Sequence, residues 1–389
     1  MAVLEDLRRR GHEITLRTLA DETEEMRRLG FDAGPVPPEI EALEMDDWRA
    51  SGRLGVWRRS LEVLGSRAAF EARDLSSAIA ATGPDAVIAD VLAWGALVAA
   101  EAWGGPWACS CPFPLPVPSR SGPPTGLAFR PARGPLGRAR DKVAASLVRV
   151  GFDRLAGDSL TQVRAEAGLP PLAHADELYT RAPLQIYMSA LPFEYPREDW
   201  PDSIVMVGPC LWEPDGEMPT ALAGVAAPLV LVTTSSEFQD DRRLVEVALA
   251  ALADERVHVV ATVPAGSTAG LEVPPNATVV PFAPHTPILR RAVCAITHGG
   301  MGATQKALAS GVPVCAVPFG RDQFEVARRV EVSGGGTWLP ARRLRPNHLR
   351  RKVRAAIECR PGAERLARAF ADAGGAKVAA DAIEQRLLS

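Results

Sequence analysis

The sequence predicts an α/β protein made of two doubly wound halves, and three observations carry that reading. Short apolar runs of strand length alternate with helical stretches along most of the 389 residues. Those runs are apolar throughout, as in 229–233 (LVLVT) and 293–297 (VCAIT), which suits parallel strands covered on both faces. A proline-, glycine- and acid-rich joint at 207–227 separates two series of similar size, in keeping with about two domains for this length.

In the first half, Val3, Leu4 and Leu7 lie at helical spacing, Arg8 to Arg10 suit a last helical turn, and Gly11 is a stop signal. Strands are expected at 12–19, 84–90 and 107–111, with an alanine-rich helix at 93–103. Residues 112–137, rich in Pro, Gly, Ser and Arg, read as a long surface loop, followed by a helix at 136–167 and a strand at 184–190. In the second half, strands are expected at 229–233, 257–263, 277–282, 293–297 and 312–317, with helices at 241–253, 303–310 and 322–333. The division is 1–212, a linker at 213–228, 229–375, and a closing helix at 376–389.

Composition narrows the function. With 44 Lys+Arg against 47 Asp+Glu the formal charge is −3, so no overall basic field recruits nucleic acid. No run of ~18 apolar residues is present, and the start MAVLEDLRRRGHE is too charged for a secretory segment, so the cytoplasm is the expected address. The six cysteines show no C-x-x-C pair or zinc spacing and are expected to be reduced and mostly buried; Cys109 and Cys111 are expected on alternate faces of extended chain.

The chemistry concentrates in 280–323. A strand ends at Thr297, and His298, Gly299, Gly300 and Gly302 form a tight turn opening a helix near Ala303. Glycines let backbone approach a ligand, and free N–H groups at a helix start favour an anion such as phosphate. His298 could donate a hydrogen bond to it or add charge as a cation.

The residues THGGMGATQKAL, then GVPVCAVPFGRDQ, with upstream PFAPHTPIL, resemble the nucleotide-sugar signature of family-1 GT-B glycosyltransferases, the antibiotic and natural-product type. Weaker similarity runs along the rest of the chain. The resemblance implies a GT-B fold, two Rossmann-like domains facing across a cleft, acceptor domain first and donor domain second. It implies that Phe282 and Ala283 flank the nucleobase, with His285 in the place of the family's glutamine. It further implies that His298, Gly299, Gly300, Gly302, Ala303 and Thr304 hold the diphosphate, Ser235 and Ser236 face it, and Asp322 and Gln323 bind sugar hydroxyls. Lys306 stands where the family usually has a ribose-binding glutamate. Either that contact is lost, which suits thymidine over uridine donors, or Lys306 is simply solvated.

On the catalytic side the resemblance implies a His–Asp dyad, with Asp90 as the carboxylate. None of His12, His174, His258, His285, His298 and His348 follows a first strand. The family begins with a strand and a Gly-His loop just before the helix that opens this chain, so the expectation is that Met1 is internal and roughly 20 residues precede it, carrying the base. The implied reaction is inverting transfer from a TDP- or UDP-sugar to a hydroxyl of a lipophilic acceptor, without metal or other cofactor. Trp48, Trp57, Trp94 and the 112–137 loop are candidate acceptor contacts, core packing being the alternative for the tryptophans. Neither nucleic acid nor an integral membrane segment is expected, and the protein is expected as monomer or homodimer. The alternatives are a homologue that binds nucleotide or a partner without turnover, and a nucleotide-sugar epimerase, against which the GGMGAT…DQ spacing argues.

Overall fold

The computed structural model describes residues 1–50, 52–214 and 216–389. The first half runs α1 (Ala2–Arg9), β1 (Thr15–Thr18), α2 (Ala20–Arg28), β2 (Asp32–Pro35), α3 (Pro38–Glu41), α4 (Gly52–Thr82), β3 (Val87–Asp90), α5 (Trp94–Trp103), β4 (Trp107–Cys111), α6 (Pro135–Glu166), β5 (Leu184–Tyr187) and β6 (Ile204–Met206). The second runs β7 (Leu229–Thr233), α7 (Arg242–Leu252), β8 (His258–Thr262), β9 (Ala277–Val280), α8 (His285–Leu289), β10 (Ala292–Thr297), α9 (Met301–Ala309), β11 (Val314–Ala316), α10 (Gln323–Ser333), β12 (Gly336–Trp338), α11 (Pro346–Ile357), α12 (Arg360–Ala373) and α13 (Ala376–Leu387).

All strand pairs are parallel. The second half is one six-stranded sheet in the order β12-β11-β10-β7-β8-β9. Its unbroken apolar strands feed two cores: Leu229, Leu231 and Ala295 face one side, while Val230, Val232, Cys294 and Ile296 face the other. Period-2 alternation sends successive side chains to opposite faces, and with helices on both faces each must be apolar.

The first half holds a four-stranded sheet, β3-β4-β5-β6, and a separate pair, β1-β2. No described segment pairs with both β1 and β3, so each keeps an unpaired edge. The long helices α4 and α6 pack on each other, and α4 packs on α5. Gly95 makes the last contact possible, because a Cβ there would sit 1.8 Å from the Ala68 carbonyl oxygen. Trp94, fully buried, sets its ring edge to Phe152 at 5.7 Å and donates to the Tyr179 hydroxyl at 3.0 Å. The chain then crosses back: α13 packs on α1, β4 and β5, with Ala379, Ala380 and Ile383 in their shared core.

Two expectations need correction, and several elements carry no clear sequence signal. Cys109 and Cys111 are two apart on β4 and therefore share a face, both buried as free thiols. The 112–134 segment is no loose surface loop, since Leu115, Val117 and Ala128 are buried and its backbone docks on α10. The 31-residue α4, β6, β12, α11 and α12 are further elements of the fold beyond those expected.

Candidate active site

The topology of the second sheet creates the site. β7 and β10 are neighbours, with Thr233 opposite Thr297, but the chain continues from them to opposite sides of the sheet. Loops leaving the carboxyl ends of such a pair diverge and open a crevice. Residues 234–240 after β7, and His298 and Gly300 after β10, line a cleft of about 3990 Å³ between the two halves.

The β10 loop is shaped by its glycines. Gly299 adopts φ +90°, and a Cβ there would lie 3.0 Å from the Gln323 carbonyl oxygen. Its N–H is donated to Thr297 Oγ1 at 3.1 Å. Gly300 caps α9, and the His298 ring folds so closely over it that a Cβ would sit 2.3 Å from Nε2. Met301, Gly302 and Ala303 line the cleft at the start of α9, where no side chain caps the free N–H groups. That leaves the positive end of the helix open to an anion.

His298 Nδ1 is buried without a hydrogen-bond partner, leaving Nε2 as the nitrogen that can reach a ligand. Burial pulls its pKa down to about 4, the nearby Thr233 backbone working the other way, so the ring is neutral at pH 7. Thr304 is corrected: its hydroxyl is fully buried and meets Thr297 Oγ1 at 3.1 Å, holding the loop from behind instead of facing the diphosphate. Ser235 donates its N–H to Asp241 Oδ2 at 2.7 Å, while its Oγ accepts from Gln239 Nε2 at 2.8 Å and from the Glu237 N–H at 3.2 Å. Its hydroxyl proton stays available, and Ser236 lines the cleft beside it.

Asp322 and Gln323 differ in capacity. Asp322 Oδ2 is buried without a partner at the cleft wall, and burial pushes its pKa up to about 6. The Gln323 side-chain Oε1 already accepts from the Phe319 and Gly320 N–H groups at 2.8 and 3.0 Å, and its side-chain amide nitrogen donates to Gln239. Both lone pairs are used, so the expected mixed donor and acceptor is reduced to one free N–H.

At the nucleoside end, Phe282 is 52% exposed at the cleft and Ala283 lies buried beneath it. His285 Nε2 meets Thr262 Oγ1 at 3.0 Å, and burial, reinforced by the Lys306 charge, lowers its pKa to about 4. Lys306 is not solvated. Its ammonium bonds Glu213 Oε1 at 2.7 Å and the Trp212 carbonyl at 3.2 Å, and the Glu213 carboxylate also accepts the His285 and Thr286 N–H groups. Burial alone would raise the Glu213 pKa, but Lys306, Thr286 and these N–H groups hold it near 2.

Across the cleft, Asp90 opens to the cavity with Oδ1 accepting the Leu92 N–H at 2.9 Å. Crowding by surrounding protein raises its pKa, against that hydrogen bond. Among the described residues no imidazole hydrogen-bonds it: His12 is taken by Glu384, His174 by Asp153, His258 by Thr278 and His348 by the Arg343 carbonyl. Glu71 belongs to no motif and carries no signal in the sequence. It lines the same cleft, accepts the Gly95 N–H at 2.9 Å, and is pushed up to about 7 mainly by burial, with the Asp90 charge adding to it. Trp48 and Trp57 border the cleft, whereas Trp94 is core.

The two halves are locked by charges at the cleft wall and beside it. Arg321, in a left-handed conformation at φ +48°, binds the buried Asp47 carboxylate at 2.8 Å. Glu325 accepts the Gly126 and Ala128 N–H groups at 2.9 and 2.5 Å and pairs with Arg329 at 2.8 Å. Arg329 in turn forks onto Glu194 at 2.9 and 3.0 Å.

The chain is similar to several known proteins over much of its length. Residues 246–385 match the family described as erythromycin biosynthesis protein CIII-like, C-terminal domain. A 4'-demethylrebeccamycin synthase of Lentzea aerocolonigenes is 32% identical over 376 residues, covering 92% of this chain and 87% of that one. A PGL/p-HBAD biosynthesis glycosyltransferase of Mycobacterium tuberculosis is 32% identical over 217 residues, 54% of this chain and 50% of that one. The structure of CalG4, the calicheamicin glycosyltransferase, superimposes with TM-score 0.76 at 22% identity, covering 99% of this chain and 94% of that one. VinC in complex with dTDP gives 0.70 at 19% identity, over 100% and 96%. These likenesses fix the GT-B fold, and the full-length similarity to the synthase fixes the family. The chain belongs to the family-1 GT-B glycosyltransferases of the natural-product type.

Proposed function

We propose that this glycosyltransferase moves a sugar, with inversion, from a thymidine diphosphate donor to a hydroxyl of a lipophilic small molecule in the cytoplasm. The observation that supports it best is the pairing of an uncapped α9 N-terminus beneath His298 with an orphaned buried acceptor at Asp322. The first suits a diphosphate and the second a sugar hydroxyl. The diphosphate charge is met by backbone N–H groups, the Ser235 hydroxyl and His298, so no resident metal ion is invoked. Thymidine is favoured over uridine because Lys306, a donor only, occupies the region expected to accept the ribose hydroxyls, and Glu213 has its oxygens engaged. Asp90 serves the acceptor side, stabilising the group that takes the hydroxyl proton as the sugar carbon is attacked and the nucleoside diphosphate leaves.

The test is incubation with TDP- and UDP-sugars and hydrophobic hydroxylated acceptors in the presence of EDTA, following nucleoside diphosphate release. Acceptor-dependent release from the thymidine donor is expected. Binding of TDP without release under any acceptor would instead favour the non-catalytic reading.

A further inference from the structure

One face of α4 looks onto the cleft. Trp57, Leu61, Leu64 and Glu71 line it at helical spacing, so a largely apolar wall ends in a carboxyl. Glu71 is buried where α4 and α5 approach most closely, one turn beyond the Ala68 carbonyl that Gly95 accommodates. Its Oε2 accepts the Gly95 N–H at 2.9 Å, in the first turn of α5. Its Oε1 has no hydrogen-bond partner among the described residues and keeps access to the cleft. Capping α5 takes one oxygen and no charge, which a glutamine would supply equally well. The second oxygen and the buried charge are therefore unexplained by packing.

Two charged groups act on this carboxyl. Arg67, one turn back on α4, favours its ionised form, although the guanidinium itself is turned to the Leu43 carbonyl. Asp90, at the end of β3, favours the protonated form. The other elements packed on α4, namely α3, α5, α6 and the Asp47–Arg49 turn, bring no further charge to bear on it. Burial outweighs Arg67 and the Gly95 N–H, so Glu71 titrates at about 7 and is ready both to take and to release a proton at neutral pH. Asp90 holds the Leu92 N–H with one oxygen, and no imidazole among the described residues bonds it.

We propose that Glu71 is the catalytic base that takes the proton of the acceptor hydroxyl, with Asp90 stabilising it once protonated; this rests on the glycosyl transfer proposed above. The hydroxyl oxygen bonds to the anomeric carbon as the bond from that carbon to the diphosphate oxygen breaks. The electron pair leaves with the nucleoside diphosphate, and the hydroxyl proton passes to Glu71 Oε1 and from there to water. Asp90 is repelled by the ionised Glu71 and relieved when the proton arrives, which favours the transfer. A carboxylate suits this task because its surroundings raise its proton affinity to that of an ordinary imidazole. Trp57, Leu61 and Leu64 supply an apolar wall along which a lipophilic acceptor brings its hydroxyl to that oxygen.

The experiment is the pH profile of kcat/KM for the full chain with a TDP-sugar and a hydrophobic hydroxylated acceptor, in wild type, Glu71→Gln, Glu71→Asp and Asp90→Asn. Wild type should lose activity in two limbs as pH falls, an upper one near 7 from Glu71 and a lower one near 6 from Asp322. Glu71→Gln should lower kcat by about 10²–10⁴-fold, leave TDP affinity unchanged by calorimetry, and keep only the lower limb. Glu71→Asp should retain the upper limb at a reduced rate. Asp90→Asn should move the upper limb to lower pH, because the like charge is gone. A loss under tenfold, or an upper limb that survives in Glu71→Gln, overturns the proposal and leaves glycosyl transfer standing, with Glu71 a cap of α5. An upper limb unmoved or raised in Asp90→Asn overturns it as well, a readout that does not require Glu71→Gln to fold. Absence of transfer by wild type overturns this inference and the proposed function together. Circular dichroism confirms that the variants fold.

Discussion

Replacing His298 by alanine tests how the protein holds a diphosphate. With its pKa lowered to about 4, charging the ring at pH 7 costs three units, or about 4 kcal/mol. A hydrogen bond to a charged group returns only about 1.5–3 kcal/mol. On these terms burial favours the neutral ring, and as a donor through Nε2 its hydrogen bond to the diphosphate corresponds to about 10- to 150-fold in affinity. Titration calorimetry of TDP into wild type and His298→Ala should show that loss, with wild-type affinity nearly flat from pH 6.5 to 8. Measured in two buffers of different ionisation heat, binding should take up far less than one proton. A loss under threefold, or uptake near one full proton, would refute the reasoning.

Three further outcomes follow from buried groups elsewhere. Glu71 carries a pKa of about 7 in the fold against 4.5 unfolded, so the native state binds more protons between these values and wild-type stability falls as pH rises through that window. Glu71→Gln removes the slope, and denaturant unfolding should show the variant gaining up to about 3 kcal/mol on wild type between pH 5 and 8. Asp322→Asn should lower kcat/KM by about 10- to 150-fold; since the carboxylate protonates near pH 6, wild-type activity should fall below that pH, and the variant should lose this limb. Arg321→Ala strands the Asp47 carboxylate, whose side chain is 2% exposed, and should cost about 3–5 kcal/mol in unfolding free energy.

How much of the site was legible depended on how local its parts are. The glycine turn around His298 could be read because its requirements are met within a few residues: positive φ at Gly299, close approach at Gly300, and a helix start at Met301. The hydrogen-bonding capacity of Gln323 is not legible in the sequence, because the Phe319 and Gly320 N–H groups that consume its side-chain oxygen are fixed only by the folded loop. The identity of Lys306 alone does not reveal its state, because its environment comes from Glu213, a linker residue 93 positions away. Glu71 carries no motif; only the contact of α4 with α5, permitted by Gly95, buries its carboxyl beside the cleft.

By itself the sequence determined the two α/β halves, the order of most strands and helices, and the family. These rest on period, apolar run length and glycine spacing, which are short-range properties of the chain. The tertiary structure alone decided which groups are charged, which hydrogen-bonding sites remain free, and how the halves are held. Asp47 and Arg321 are 274 residues apart, and Glu194 and Arg329 are 135 apart. Desolvation and pairing depend on what surrounds a group in space, so the protonation of His298, Asp322 and Glu71 could be read only once the chain had closed around them.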